Sequence, residues 1–147
     1  MSKLRFQRAN YVVQNIERSL VLYRDILGFE VAFIKESPED SYSYPVFEID
    51  SSIKMQFAVL STEDQPRVMA LTEVPDANRA PQPFPRRAAI VLETPRIDEI
   101  IAGCKKEGLH VYPEERLETH DGRIGRELGI VDLDGNLVVL YYIPKTS

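Results

Sequence analysis

Apolar positions in this chain repeat with two different spacings, a helical one over two stretches and an alternating one over most of the rest. Ile16, Leu20, Tyr23 and Leu27 fall on one stripe, the spacing of a helix that buries a single face. Asn15 precedes the stripe and can accept a hydrogen bond from a first-turn amide, while Gly28 tolerates the left-handed stop. A second stripe, Ile97, Ile101 and Cys104 with Ile100 beside it, follows Thr94 as cap and Pro95 in the first helical position, and ends at Gly108. Runs rich in β-branched and aromatic residues predict strands over 29–35, 44–49 and 53–60, and again over 109–117, 128–132 and 137–143. Asp50-Ser51-Ser52 and Asp134-Gly135-Asn136 are turn material, the second a strong hairpin signal.

These elements form a repeat. Arg8-Ala9-Asn10-Tyr11-Val12-Val13 resembles Arg87-Ala88-Ala89-Ile90-Val91-Leu92, and each run is followed by a cap, a helical stripe, a glycine and more strands. The order reads βαβββ twice, an α+β chain of two tandem modules with the helices on the outside. One domain over 1–147 is expected, with module 1 over about 4–62, a Pro-rich linker over about 63–85 and module 2 over about 86–147. Five prolines within 65–85 argue against a central strand there and for an extended connection.

Composition narrows the class. A chain of 147 residues with 44% apolar and 28% charged residues can bury a core as one globular domain. Its longest apolar runs have strand length, and the charged segment at Met1 to Asn10 lacks the apolar core of a secretory signal, so no membrane partner and a cytoplasmic location are expected. A lone cysteine, Cys104, agrees with a reducing compartment and sits on a helical stripe as a buried structural thiol. Net charge −5 with scattered basic residues argues against nucleic acid.

Local chemistry is sparse. His110 belongs to a strand, and His120 lies in Thr119-His120-Asp121-Gly122, a turn; neither neighbours a cysteine or carboxylate cluster of zinc spacing. Asp132-Leu133-Asp134-Gly135-Asn136 lacks the ligand spacing of a calcium loop and reads as a hairpin. Gly122-Arg123-Ile124-Gly125-Arg126 reads as a flexible loop, with no nucleotide-binding fingerprint.

Two longer motifs carry a family resemblance. Val13-x-Asn15-Ile16-Glu17-Arg18-Ser19-x-x-x-Tyr23-x-x-x-Leu27-Gly28-Phe29 resembles the N-terminal signature of the vicinal oxygen chelate superfamily, which includes glyoxalase I, extradiol dioxygenases and bleomycin- and fosfomycin-resistance proteins. The run Gly125 to Asn136 resembles its C-terminal signature, with Leu133 where proline commonly stands. The resemblance implies two modules curled into a half-barrel around a cleft, a homodimer, and in many members one divalent metal that binds substrate and acts as Lewis acid.

At the metal-ligand positions the resemblance points to, this sequence has Arg8, Gln56, Arg87 and Val139. Guanidinium has no lone pair to donate and valine has no donor atom, so no metal and no other cofactor are expected. Alternation places Arg8, Asn10, Gln56, Arg87, Ala89, Val139 and Tyr141 on the cleft side, with Val12 adding apolar wall. Paired arginines there suit carboxylate or phosphate; the alternative is that they pair with Glu48, Glu93 or Glu127 and merely close the cleft. The expected function is metal-independent binding of a small molecule, an organic acid or drug-like ligand. One alternative is a lyase or isomerase using Glu127, Tyr141 or His120 as acid or base, and a second is metal-dependent glyoxalase- or dioxygenase-like catalysis through other ligands.

Overall fold

Both helix stops form where glycine was expected to make them, at Gly28 (φ 95°) and Gly108 (φ 72°). The computed structural model describes residues 3–75 and 83–145, and the chain divides into two compact units, Met1–Arg79 and Ala80–Ser147.

In the first unit, β1 (Ala9–Val13) leads into α1 (Ile16–Leu20), whose first turn is capped by the Asn15 side chain accepting from the Arg18 amide at 2.9 Å. The helix then widens into a π-helical turn over Val21–Ile26, with Leu27 N–H donating to the Leu22 carbonyl. That widening rotates the stripe: Ile16, Leu20, Leu22 and Tyr23 are buried, and Leu27 is only half-buried. β2 (Glu30–Glu36), β3 (Gln56–Ser61) and β4 (Met69–Glu73) complete a mixed sheet ordered β1-β4-β3-β2, with β1 parallel to β4 and the other pairs antiparallel.

Two sequence expectations change here. Residues 44–49 are not a strand: α2 (Ser43–Val46) forms instead, with Pro45 in its first turn, where no amide is needed, and Tyr44 anchored by its hydroxyl on the Ile53 carbonyl at 2.5 Å. The supposed linker contains a strand, and a central one. Pro66 and Pro75 bracket the proline-free stretch that becomes β4, so they end the strand without interrupting its ladder. Residues 76–82 of the expected linker lie outside the described residues.

The second unit repeats the plan with β5 (Ala89–Glu93), α3 (Ile97–Lys106), β6 (His110–Val111), β7 (Glu115–Glu118), β8 (Ile124–Val131) and β9 (Leu137–Tyr142). Its sheet runs β5-β9-β8-β6, with β7 also on β8 and β5 parallel to β9. The helix starts later than expected. Thr94 caps only the preceding turn, its hydroxyl accepting from the Arg96 amide at 3.1 Å, and Pro95 stands outside the helix. The expected strand over 109–117 is split around Pro113. The expected flexible loop over 122–126 is a tight turn followed by the start of β8. Gly125 is needed there, since a Cβ would collide with the Tyr142 carbonyl. Ile97, Ile100 and Cys104 of α3 are buried, as are Leu128, Ile130, Val138 and Leu140 of the sheet.

Candidate functional site

The register of the second sheet sorts its side chains into two faces. Ile90 pairs with Val138 and Leu92 with Leu140, on the buried face. Ala89, Val91 and Glu93 of β5, Val139 and Tyr141 of β9, and Glu127 and Gly129 of β8 share the other. This face is open, with Val91 60% exposed. On it lies a pocket of about 520 Å³, with Phe84, Tyr112, Leu137 and Val139 as apolar wall and Glu115, Glu127 and Arg86 as charged lining. Val139 and Glu127 are therefore brought to one pocket; Ala89 and Tyr141 share the face without lining it.

Sequence reasoning missed five of these residues, Phe84, Arg86, Tyr112, Glu115 and Leu137. Arg86, not its neighbour Arg87, enters the pocket: it donates to the Gly135 carbonyl at 3.1 Å and the Tyr112 hydroxyl at 3.5 Å, and stands 5.2 Å from the centre of the Phe84 ring. Its Nε is buried without a hydrogen-bond partner. Tyr112 is held by its amide on the Gly129 carbonyl and by an edge-on contact with His110 at 4.4 Å. Gly129 makes room for that ring, since a Cβ there would come within 3.2 Å of Tyr112 Cδ2. Glu115 faces Glu127 across the β7–β8 pair. An alternation read along each strand alone carries none of these cross-strand placements.

The first unit places its residues differently. Val12 pairs with Thr72 as Val91 pairs with Val139, so the repeat makes Thr72, not Gln56, the counterpart of Val139. Thr72 is 5% exposed and its hydroxyl donates to Asn10 Oδ1 at 2.8 Å. Asn10 Nδ2 is buried without a partner. Gln56 does not face where alternation was expected to turn it. Its amide donates to Glu73 Oε1 at 3.0 Å, and Glu73 Oε2 accepts from the Ile16 amide at 2.8 Å, which holds both side chains against the start of α1. A separate pocket of about 750 Å³ beside them is lined by Glu36, Glu39, Tyr44, Lys54, Gln56 and Glu73.

Arg8 and Arg87 are both exposed, and among the described residues neither forms the ion pair with Glu48, Glu93 or Glu127 that would close the site. His120 is exposed in the Thr119–Arg123 turn, away from the pocket lining. Arg126 bonds Glu114 through two nitrogens at 2.8 and 2.7 Å and Asp98 at 2.6 Å, and holds both carboxyls below their ordinary range. Burial pushes the Cys104 thiol up to about 11, which agrees with an inert structural thiol. Among the described residues no group of three or more His, Cys, Asp or Glu could hold a metal ion, and no helix is long and apolar enough to cross a membrane.

The model of the glyoxalase/bleomycin resistance protein/dioxygenase superfamily matches residues 5–140. The chain belongs to this superfamily. Solved structures share the glyoxalase-like fold at low identity. A glyoxalase family protein from Bacillus cereus superposes with TM-score 0.75 at 16% identity, over 99% of this chain and 97% of that one. Glyoxalase I of Leishmania major gives 0.65 at 19%, over 95% and 87%. The fosfomycin resistance protein FosX from Listeria monocytogenes, complexed with Mn(II) and sulfate, gives 0.59 at 14%, over 97% and 93%. At these identities the likeness concerns the superfamily's fold alone. No curated protein matches the sequence.

Proposed function

We propose that this superfamily member binds a small organic molecule without a resident metal, on the open face of its second sheet. The observation that carries the reading is Val139: it stands where the family resemblance places a glutamate ligand, and it lines a pocket. The other equivalent positions hold Arg8, Arg87 and, by register, Thr72, whose hydroxyl is already given to Asn10. Two guanidinium groups, a neutral hydroxyl and a valine do not fit a divalent ion.

Arg8 in the first unit and Arg87 in the second are each exposed, and either guanidinium by itself suits an anionic group such as a carboxylate on a ligand. The pocket volume and its mixture of apolar wall and few charges are ordinary for a small ligand. We further assign the chain a single functional domain, a homodimer and a cytoplasmic location, with neither nucleic acid nor membrane as partner. A thermal-shift screen against carboxylates, drugs and aromatic acids tests binding. Stabilisation reduced in Arg8→Ala and Arg87→Ala is expected, and unchanged affinity in both removes the anion role. Elemental analysis of purified protein finding a stoichiometric divalent ion would overturn the metal-free reading.

A second reading, a lyase or isomerase, is favoured by one observation: Glu127 lines the pocket and pairs in register with Tyr141, which puts a base and a hydroxyl on one surface. Turnover of a bound acid that disappears in Glu127→Gln would establish it.

A further inference from the structure

We infer that the pocket of the second unit selects a ligand carrying a protonated amine on an apolar body. The inference rests on the proposed binding face and names the class of ligand it takes.

The lining itself asks for a cation. Glu115 and Glu127 occupy paired register positions on β7 and β8 and both line the cavity. Like charges directly opposite on neighbouring strands repel each other. Neither carboxylate forms an ion pair among the described residues. The neighbouring Arg116 and Arg126 are spent elsewhere, on Glu118 and on Glu114 and Asp98.

The aromatic wall points the same way independently. Phe84 is 75% exposed and Tyr112 37% exposed, although both border the cavity. Aromatic faces bordering a pocket attract organic cations through the ring quadrupole, and Arg86 over Phe84 already uses that attraction. Among the described lining residues Arg86 is the one basic group, and its terminal nitrogens are engaged by Gly135 and Tyr112. With Arg86 so engaged, the two carboxylates are the charged groups that this lining offers a ligand.

Isothermal titration of the full chain with phenylalanine, phenethylamine and hydrocinnamate separates the contributions, since the three share one body and differ only in charged ends. Phenylalanine and phenethylamine are expected to bind at least tenfold more tightly than hydrocinnamate. The double variant Glu115→Gln, Glu127→Gln is expected to lose that preference while hydrocinnamate binding is unchanged or improved. Thermal unfolding of the variant, equal to or above the parent, establishes that the loss is not misfolding. Hydrocinnamate bound as tightly as the amines, or amine binding unaffected in the double variant, overturns the inference and leaves the proposed binding face standing. No binding of any of the three at millimolar concentration also overturns the inference, while the broader thermal-shift screen decides the proposed binding face.

Discussion

The two repeats share a topology and differ in what covers the equivalent sheet face. In the first, Thr72 is buried and bonded to Asn10, and Val12 is half-buried; in the second, Val139 and Val91 stand at the same register positions and one of them is 60% exposed. The helix starts differ as well: α1 hangs by its first amide from Glu73, a strand residue, whereas α3 follows a turn in which Thr94 bonds only the Arg96 amide. A duplicated fold has thus kept its ladder while, on this face, one copy turned polar groups inward and the other left a pocket. The family's scaffold does not itself decide where a ligand sits; the side chains laid on each copy do.

The largest effect should come from the strand that the prolines concealed. Leu71 is fully buried in β4, so Leu71→Ala should cost about 2–5 kcal/mol in denaturant unfolding. A change near zero would mean that this segment is a connection after all and that the two repeats do not match. Next is Glu73→Ala, which removes both the Gln56 bond and the acceptor for the buried Ile16 amide, for about 1–3 kcal/mol. The position has no counterpart bond in the second repeat, where Leu140 pairs with Leu92 as Glu73 pairs with Val13. Leu140→Gln at the matching place should therefore destabilise and not repair, because the Arg96 amide at the helix entry is already given to Thr94 and the site is fully buried and apolar.

A smaller effect tests the inward-turned polar pair. Thr72→Val leaves Asn10 Oδ1 without its donor and should cost roughly 0.5–1.5 kcal/mol by the same unfolding measurement. Replacing both partners, Asn10→Leu with Thr72→Val, should cost less than the sum of the single changes, since an apolar pair leaves nothing unsatisfied. An additive result would show that the two side chains are not coupled.

Local signals were legible in the sequence and long-range ones were not. Asn15, Gly28 and Gly108 act through their own backbone neighbourhood, and each performs as its residue type predicts. A proline count over 65–85 hides β4 because position decides: Pro66 and Pro75 stand on either side of the strand and none of the five falls within it. Gln56 was misread because its partner, Glu73, lies 17 residues away on another strand, and Glu73 in turn serves an amide 57 residues distant. Arg86 escapes alternation for a related reason: β5 begins at Ala89, and the period of two does not extend to the residues before it.

The smallest effect concerns pH and a three-residue network of the second repeat. Arg126 ties β8 to Glu114 and to Asp98 of α3, and through its hydrogen bonds it lowers the pKa of both carboxyls in the folded chain. A carboxyl whose folded pKa is depressed contributes stability that is present above its ordinary value and lost as pH falls through the folded one. The loss therefore sets in once pH drops below the ordinary values of 4.5 for Glu114 and 3.8 for Asp98. Arg126 and Glu114 are about a third exposed and Asp98 is mostly exposed, so screening keeps the effect small. Arg126→Met should flatten the acid limb of the unfolding temperature against pH and leave the neutral region almost unchanged. An acid limb as steep as the parent's would place the acid sensitivity elsewhere, and high salt should reproduce the variant's profile in the parent if the network is its source.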